Sequence, residues 1–156
     1  MSTAYVALGA NLPFQGKPPL VTLERALTAL AAAGLSAHAR SSVWRSPAWP
    51  PSDQPDYYNA VVAVDTGGYS PQALYRVLRD IEHSFGRERR EPLAARTLDL
   101  DIVAIDAMAG DFGGIILPHP RMQERGFVLA PLAEADPSWR HPGLGVTAAA
   151  MWAAEL

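Results

Sequence analysis

The chain has 156 residues, 49% of them hydrophobic and 19% charged, which separates it from disordered sequences and suffices for one domain with a sizeable core. A net charge of -3, from 13 Lys plus Arg against 16 Asp plus Glu, has the wrong sign for a non-specific nucleic-acid binder. Cysteine is absent, which excludes disulfides, thiolate metal sites and thiol nucleophiles. No segment has the length of a bilayer span and the N-terminus lacks a basic leader region, so a soluble, cytoplasmic protein is expected.

Tyr5 to Leu8 reads as a first strand ending in the turn Gly9-Ala10-Asn11-Leu12-Pro13. Asn11 is either a plain turn residue or an amide aimed into a site at the strand end. Leu20, Leu23, Leu27 and Leu30 recur at helical spacing until Gly34. Ser36 to Ser46 reads as a strand, followed by the proline-rich loop Pro47 to Pro55, where Trp49 is a lid over the core or a wall for a flat ligand. Tyr57 to Thr66 is the next strand, with Tyr57, Asn59, Val61 and Ala63 on one face and Tyr58, Ala60, Val62 and Val64 on the other.

Ser70-Pro71 starts a helix as cap and first helical residue, and Leu74, Val77, Leu78, Ile81 and Phe85 form its apolar stripe up to Gly86. Glu82 lies one turn before an arginine-rich loop, as an ordinary surface glutamate or as a partner for an arginine or a substrate amine. A strand follows from Asp99 through Ile105, then a turn region from Asp106 to Gly114 and a short extended piece, Ile115 to Leu117. Arg121 to Ala133 reads as helical in two pieces around Gly126 and Pro131, and Val146 to Trp152 as a terminal helix. The fold class expected is α+β: a ferredoxin-like βαββαβ core of four antiparallel strands, two helices on one face, the other face free for a site, and extra C-terminal helices.

Asp99 and Asp101 sit two apart on a strand, so both carboxylates leave one face and Leu98, Leu100 and Ile102 the other. Two half-buried carboxylates repel unless a cation lies between them, a divalent metal or an arginine. Just upstream is Gly86-Arg87-Glu88-Arg89-Arg90-Glu91, with Arg96 beyond, in a chain whose single lysine is Lys17. Guanidiniums suit phosphate oxygens, and carboxylates suit Mg²⁺, so this stretch points to phosphoryl transfer from a nucleotide.

The sequence resembles the 6-hydroxymethyl-7,8-dihydropterin pyrophosphokinases. The resemblance is carried by Tyr5-Val6-Ala7-Leu8-Gly9-Ala10-Asn11-Leu12, Ser46-Pro47, Asp53-Gln54-Pro55-Asp56-Tyr57-Tyr58-Asn59-Ala60, Arg96-Thr97-Leu98-Asp99-Leu100-Asp101-Ile102 and Pro118-His119-Pro120-Arg121-Met122 through Arg125-Gly126-Phe127. It implies transfer of pyrophosphate from the co-substrate ATP to the pterin hydroxymethyl group, with AMP released. It further implies that Asp99 and Asp101 hold two Mg²⁺, that Arg87, Arg89, Arg96 and Arg90 clamp phosphates, and that His119 and Arg125 contact the nucleotide. The pterin would stack between Tyr57 and Phe127, its polar edge met by Asn59 and by the chain around Ser46, Pro47 and Trp49. No nucleic acid, membrane or obligate protein partner is implied.

Two positions depart from the family's pattern. Relatives often carry a tryptophan in the loop where this chain has Glu91-Pro92-Leu93-Ala94-Ala95, and an aromatic residue where it has Pro120. Two rivals share the expected fold: a single-stranded RNA-binding module and a ligand-sensing regulatory domain. Aspartates on the open face and the negative net charge count against the first.

Overall fold

The computed structural model describes residues 2–47, 53–86 and 97–155. Strand β1 (Thr3–Ala10) is the centre of a five-stranded sheet, with β4 (Tyr57–Asp65) antiparallel on one side and β5 (Asp99–Ile105) antiparallel on the other. The edge beyond β4 is shared by β2 (Ala37–Arg40) and β3 (Trp44–Ser46), each antiparallel to β4. One continuous strand was expected over this edge. The interruption falls at Ser41, which is buried, donates its N–H to Val61 O at 2.9 Å and accepts the Val61 N–H on its Oγ at 3.0 Å. A side chain thus takes over part of the ladder, and the edge becomes two short strands.

Helices α1 (Pro19–Ala32) and α2 (Pro71–Ser84) cover one face. Their Leu23, Leu30, Leu74, Leu78 and Ile81 pack on Val6, Leu8, Val62, Val64, Leu100 and Ile102 of the sheet, with the strand alternation that period two demands. The end of α1 explains its glycine. Gly34, at φ +87°, donates to Ala31 O at 3.0 Å while the Leu35 N–H reaches Leu30 O at 2.9 Å, and Leu30 and Leu35 join in the core. At the start of α2, Ser70 Oγ accepts from Ala73 N at 3.1 Å, the expected cap.

The opposite face was expected to lie free, and this is corrected. The C-terminal part of the chain builds a second core on it, from Met122, Val128, Leu129, Leu132, Trp139 and Met151 against Tyr5, Val61, Ala63 and Val103. Two helices supply most of this cover, α3 (Gly126–Ala135) and α4 (Ala148–Glu155), the first entered through a short 3-10 turn at Met122–Glu124. Pro131 sits inside α3 without ending it. Tyr5 fixes the cover in place: its hydroxyl donates to Asp136 Oδ2 at 2.6 Å, and burial together with that carboxylate pushes its pKa up, so it remains a donor. The region expected to be a turn contains a small hairpin, β6 (Gly110–Phe112) with β7 (Ile115–Leu117). No helix among the described residues is long and apolar enough to cross a membrane.

Candidate functional site

The second core stops short of one end of the sheet, and the polar residues gather there. Register aligns Trp44, Asn59, Gly9 and Asp99 in one row across β3, β4, β1 and β5, and Val61, Ala7 and Asp101 in the next. Glycine and alanine on the central strand leave a shallow floor between the amide of Asn59 and the two carboxylates. Asp99 and Asp101 are half-buried on the face opposite Leu98, Leu100 and Ile102, as period two requires. Their Cα atoms are separated by about 6.8 Å of extended strand.

His119 reaches this end from the segment after β7. Its N–H donates to Val103 O at 2.7 Å, and its Nδ1 accepts the Arg121 N–H at 3.2 Å, which leaves the proton of the neutral ring on Nε2. Burial lowers the imidazole pKa, and the guanidiniums of Arg125 and Arg121 lower it further, against the opposing pull of Asp99. Those four residues therefore share one electrostatic neighbourhood. The Arg125 guanidinium also stands over the Phe127 ring, 5.7 Å from its centre. Arg121 is a member of this group that its position in the sequence did not single out. Its place beside His119, one turn before Arg125, is the signal.

The aromatic side of the site is held by a tether that the sequence did not reveal. Glu134, near the end of α3, accepts the Ser42 N–H at 2.9 Å, the Ser42 hydroxyl at 2.8 Å and the Trp44 indole N–H at 2.9 Å. The Ser42 backbone bond, then those from the indole and the hydroxyl, hold its carboxyl below the usual carboxylate range. This joins the helix whose first turn carries Phe127 to the strand whose Ser46 pairs with Tyr57. Trp44 also sets its ring edge-on to Trp152, 6.1 Å away. Pro47 follows β3 and is exposed.

Asn11 is 1% exposed and donates to Gln54 Oε1 at 3.3 Å and Pro55 O at 3.2 Å, tying the end of β1 to the segment that enters β4. Glu82 is not a surface residue; it is 1% exposed. Its Oε2 accepts the Leu100 N–H at 2.7 Å, and its Oε1 lies 3.0 Å from Arg79 Nε. Arg79 in turn donates through Nη2 to the Leu100 carbonyl. Trp49, Arg87, Arg89, Arg90, Leu93 and Arg96 lie outside the described residues.

Among the described residues no group of three His, Cys, Asp or Glu side chains converges as a metal cage. A pair of carboxylates is nonetheless the donor set Mg²⁺ accepts when phosphate oxygens and water complete its octahedron. Asp99 and Asp101, on one face over small residues, fit that use.

A family model described as 7,8-dihydro-6-hydroxymethylpterin-pyrophosphokinase matches residues 5–137. The chain is 41% identical over 145 residues to a 2-amino-4-hydroxy-6-hydroxymethyldihydropteridine pyrophosphokinase of Synechocystis, covering 92% of this chain and 71% of that one. It is 37% identical over 138 residues to a protein of the same name from Methylorubrum extorquens, covering 88% and 84%. In fold it is similar to the crystal structure of wild-type Plasmodium falciparum HPPK-DHPS with pteroate, at a TM-score of 0.76 and 13% identity. That alignment covers 99% of this chain but 44% of the longer one. With a model match running from the first strand to the end of the third helix, and relatives alike over most of both lengths, the chain belongs to the 7,8-dihydro-6-hydroxymethylpterin-pyrophosphokinase family.

Proposed function

We propose that this chain, acting in the cytoplasm as a single domain, transfers pyrophosphate from ATP to 6-hydroxymethyl-7,8-dihydropterin in folate biosynthesis. The observation that carries the reading is the row-by-row arrangement of Asn59, Gly9 and Asp99, with Ala7 and Asp101 beside them and His119, Arg121 and Arg125 within electrostatic reach of Asp99. Asp99 and Asp101 would hold two Mg²⁺. Bound Mg²⁺ supplies charge neutralisation at the phosphates, which lowers the barrier to attack. The pterin hydroxyl oxygen gives up its proton to water as it forms a bond to the β-phosphorus. The bond from that phosphorus to the bridging oxygen breaks, and AMP leaves with the electron pair.

The remaining roles are those the family resemblance implies, and each suits the chemistry of its side chain. Arg125, with Arg87, Arg89 and Arg96, neutralises phosphate oxygens by charge-assisted hydrogen bonds. His119, neutral with its proton on Nε2, donates to the same anion without adding a buried charge. Tyr57 and Phe127 offer aromatic faces to the pterin ring, while Asn59 presents both a donor and an acceptor to its edge. Ser46, Pro47 and Trp49 wall that edge, and Asn11 steadies the entering loop. The ferredoxin-like βαββαβ description belongs to this reading too, with β2 and β3 counted as one interrupted strand.

The test is the nucleotide product. Purified protein with ATP, Mg²⁺ and the pterin is expected to give AMP and the pterin diphosphate, separated by chromatography. Pterin-dependent ADP would move the attack to the γ-phosphorus. No nucleotide product with any divalent metal would favour a binding or sensing domain.

A further inference from the structure

We infer that Glu82 and Arg79 of α2 are positioning residues for the two aspartates, acting through the backbone of Leu100 that lies between them; the inference rests on the reading of Asp99 and Asp101 as Mg²⁺ ligands. Register sets Asp99 opposite Gly9, Leu100 opposite Leu8 and Asp101 opposite Ala7. In an antiparallel pair, alternate residues turn their N–H and C=O toward the partner strand and away from it. Leu100 turns both outward, past the last strand of the sheet. Glu82 Oε2 takes the N–H at 2.7 Å and Arg79 Nη2 reaches the carbonyl, while the two side chains pair with each other at 3.0 Å.

Three consecutive residues are thus held from alternating sides, Asp99 and Asp101 on β1 and Leu100 on α2. An exposed edge would let the strand twist or bulge at Leu100. Because the aspartates flank that residue, such a twist would change the angle between their side chains. Mg²⁺ demands near-ideal octahedral geometry and tolerates little of that. The clamp is buried at its core, with Glu82 at 1% and Leu100 at 0% exposure, so water competes poorly for its hydrogen bonds. An acidic residue and a basic one at this spacing on α2 serve this purpose better than they serve a packed core, where an ion pair repays little of its desolvation. Leu100 itself is a poor probe, because truncating it opens a cavity.

The experiment compares Glu82→Ala, Glu82→Gln and Arg79→Gln with Asp101→Asn, by two readouts. The first is hydrogen exchange of the Leu100 amide by NMR in protein free of metal and nucleotide. The second is calorimetric Mg²⁺ binding with a non-hydrolysable ATP analogue, alongside a separate pterin titration. Glu82→Ala is expected to speed Leu100 exchange and weaken Mg²⁺ binding by about 10-fold or more, with pterin affinity held, as loss of a partner behind metal ligands does. Glu82→Gln keeps an acceptor near the amide and is expected to lose less than Glu82→Ala. Arg79→Gln, at a partly exposed position, serves if Glu82→Ala fails to fold, with a loss above about threefold expected. Mg²⁺ affinity unchanged in these variants would overturn the inference, as would a pterin loss equal to the Mg²⁺ loss. Wild-type Mg²⁺ binding in Asp101→Asn would overturn the underlying reading instead, and with it the inference, whatever Leu100 exchange showed of the clamp.

Discussion

The side chain of Asn59 lies across Gly9: a β-carbon added to Gly9 would stand 2.7 Å from Asn59 Oδ1. The central strand therefore needs glycine at this position for a neighbour's amide and not for its own backbone. Gly9→Ala is expected to fold, since the collision is with the far end of a side chain that can swing. The displaced amide would then no longer meet the pterin edge. Pterin affinity should fall by about 1–3 kcal/mol, the cost of a buried polar edge left unmatched. Thermal denaturation and pterin calorimetry on the same sample check both halves. Unchanged pterin affinity would remove Asn59 from the binding edge.

Phe127 lies in the first turn of α3, under the Arg125 guanidinium. Phe127→Ala should weaken pterin binding by roughly 1–3 kcal/mol through lost stacking and apolar area. ATP affinity should change much less, and Phe127→Tyr should restore most of the loss. An equal fall in ATP affinity, measured by a separate titration, would make Phe127 a supporting side chain of the whole site.

His141 provides a pH test away from the site. Its Nδ1 accepts the Gly143 and Leu144 N–H groups, each at 3.0 Å, and burial lowers its pKa. The folded state therefore binds fewer protons here than the unfolded state. The stabilisation is present above the ordinary histidine pKa of about 6.5 and is lost as pH falls through the lowered folded value. His141→Ala should cost about 1 kcal/mol at alkaline pH and less in acid, where the wild-type loop has lost its acceptor. Denaturant unfolding of both proteins at the two extremes measures this. A gap that widened toward acid would reverse the sign.

The aspartate pair was legible because a strand leaves no freedom: residues two apart share a face whatever lies around them. The helices were legible for a similar reason, through leucine spacing and the Ser70-Pro71 start. Ser41 shows where that reasoning stops. Nothing local distinguishes a serine that interrupts a strand from one that continues it, until Val61 is known to lie opposite. The covered second face was hidden likewise. α3 and α4 are apolar nearly all round, so no stripe announced which side of the sheet they would bury. For Glu82 the sequence left two readings open, surface glutamate or arginine partner; the fold favours the second, with Arg79, and adds a backbone amide 18 residues away that no local pattern could show.

The outer border of β5 has a consequence for solubility. A border strand offers unpaired backbone groups to any passing extended chain, a common beginning of aggregation. On β5 the Leu100 N–H and carbonyl are taken by α2, and the Val103 carbonyl by the His119 N–H. At these two residues the strand that carries the aspartates is thereby closed to recruitment by a second molecule. Variants that open this border should reveal themselves by concentration-dependent association before any loss of fold.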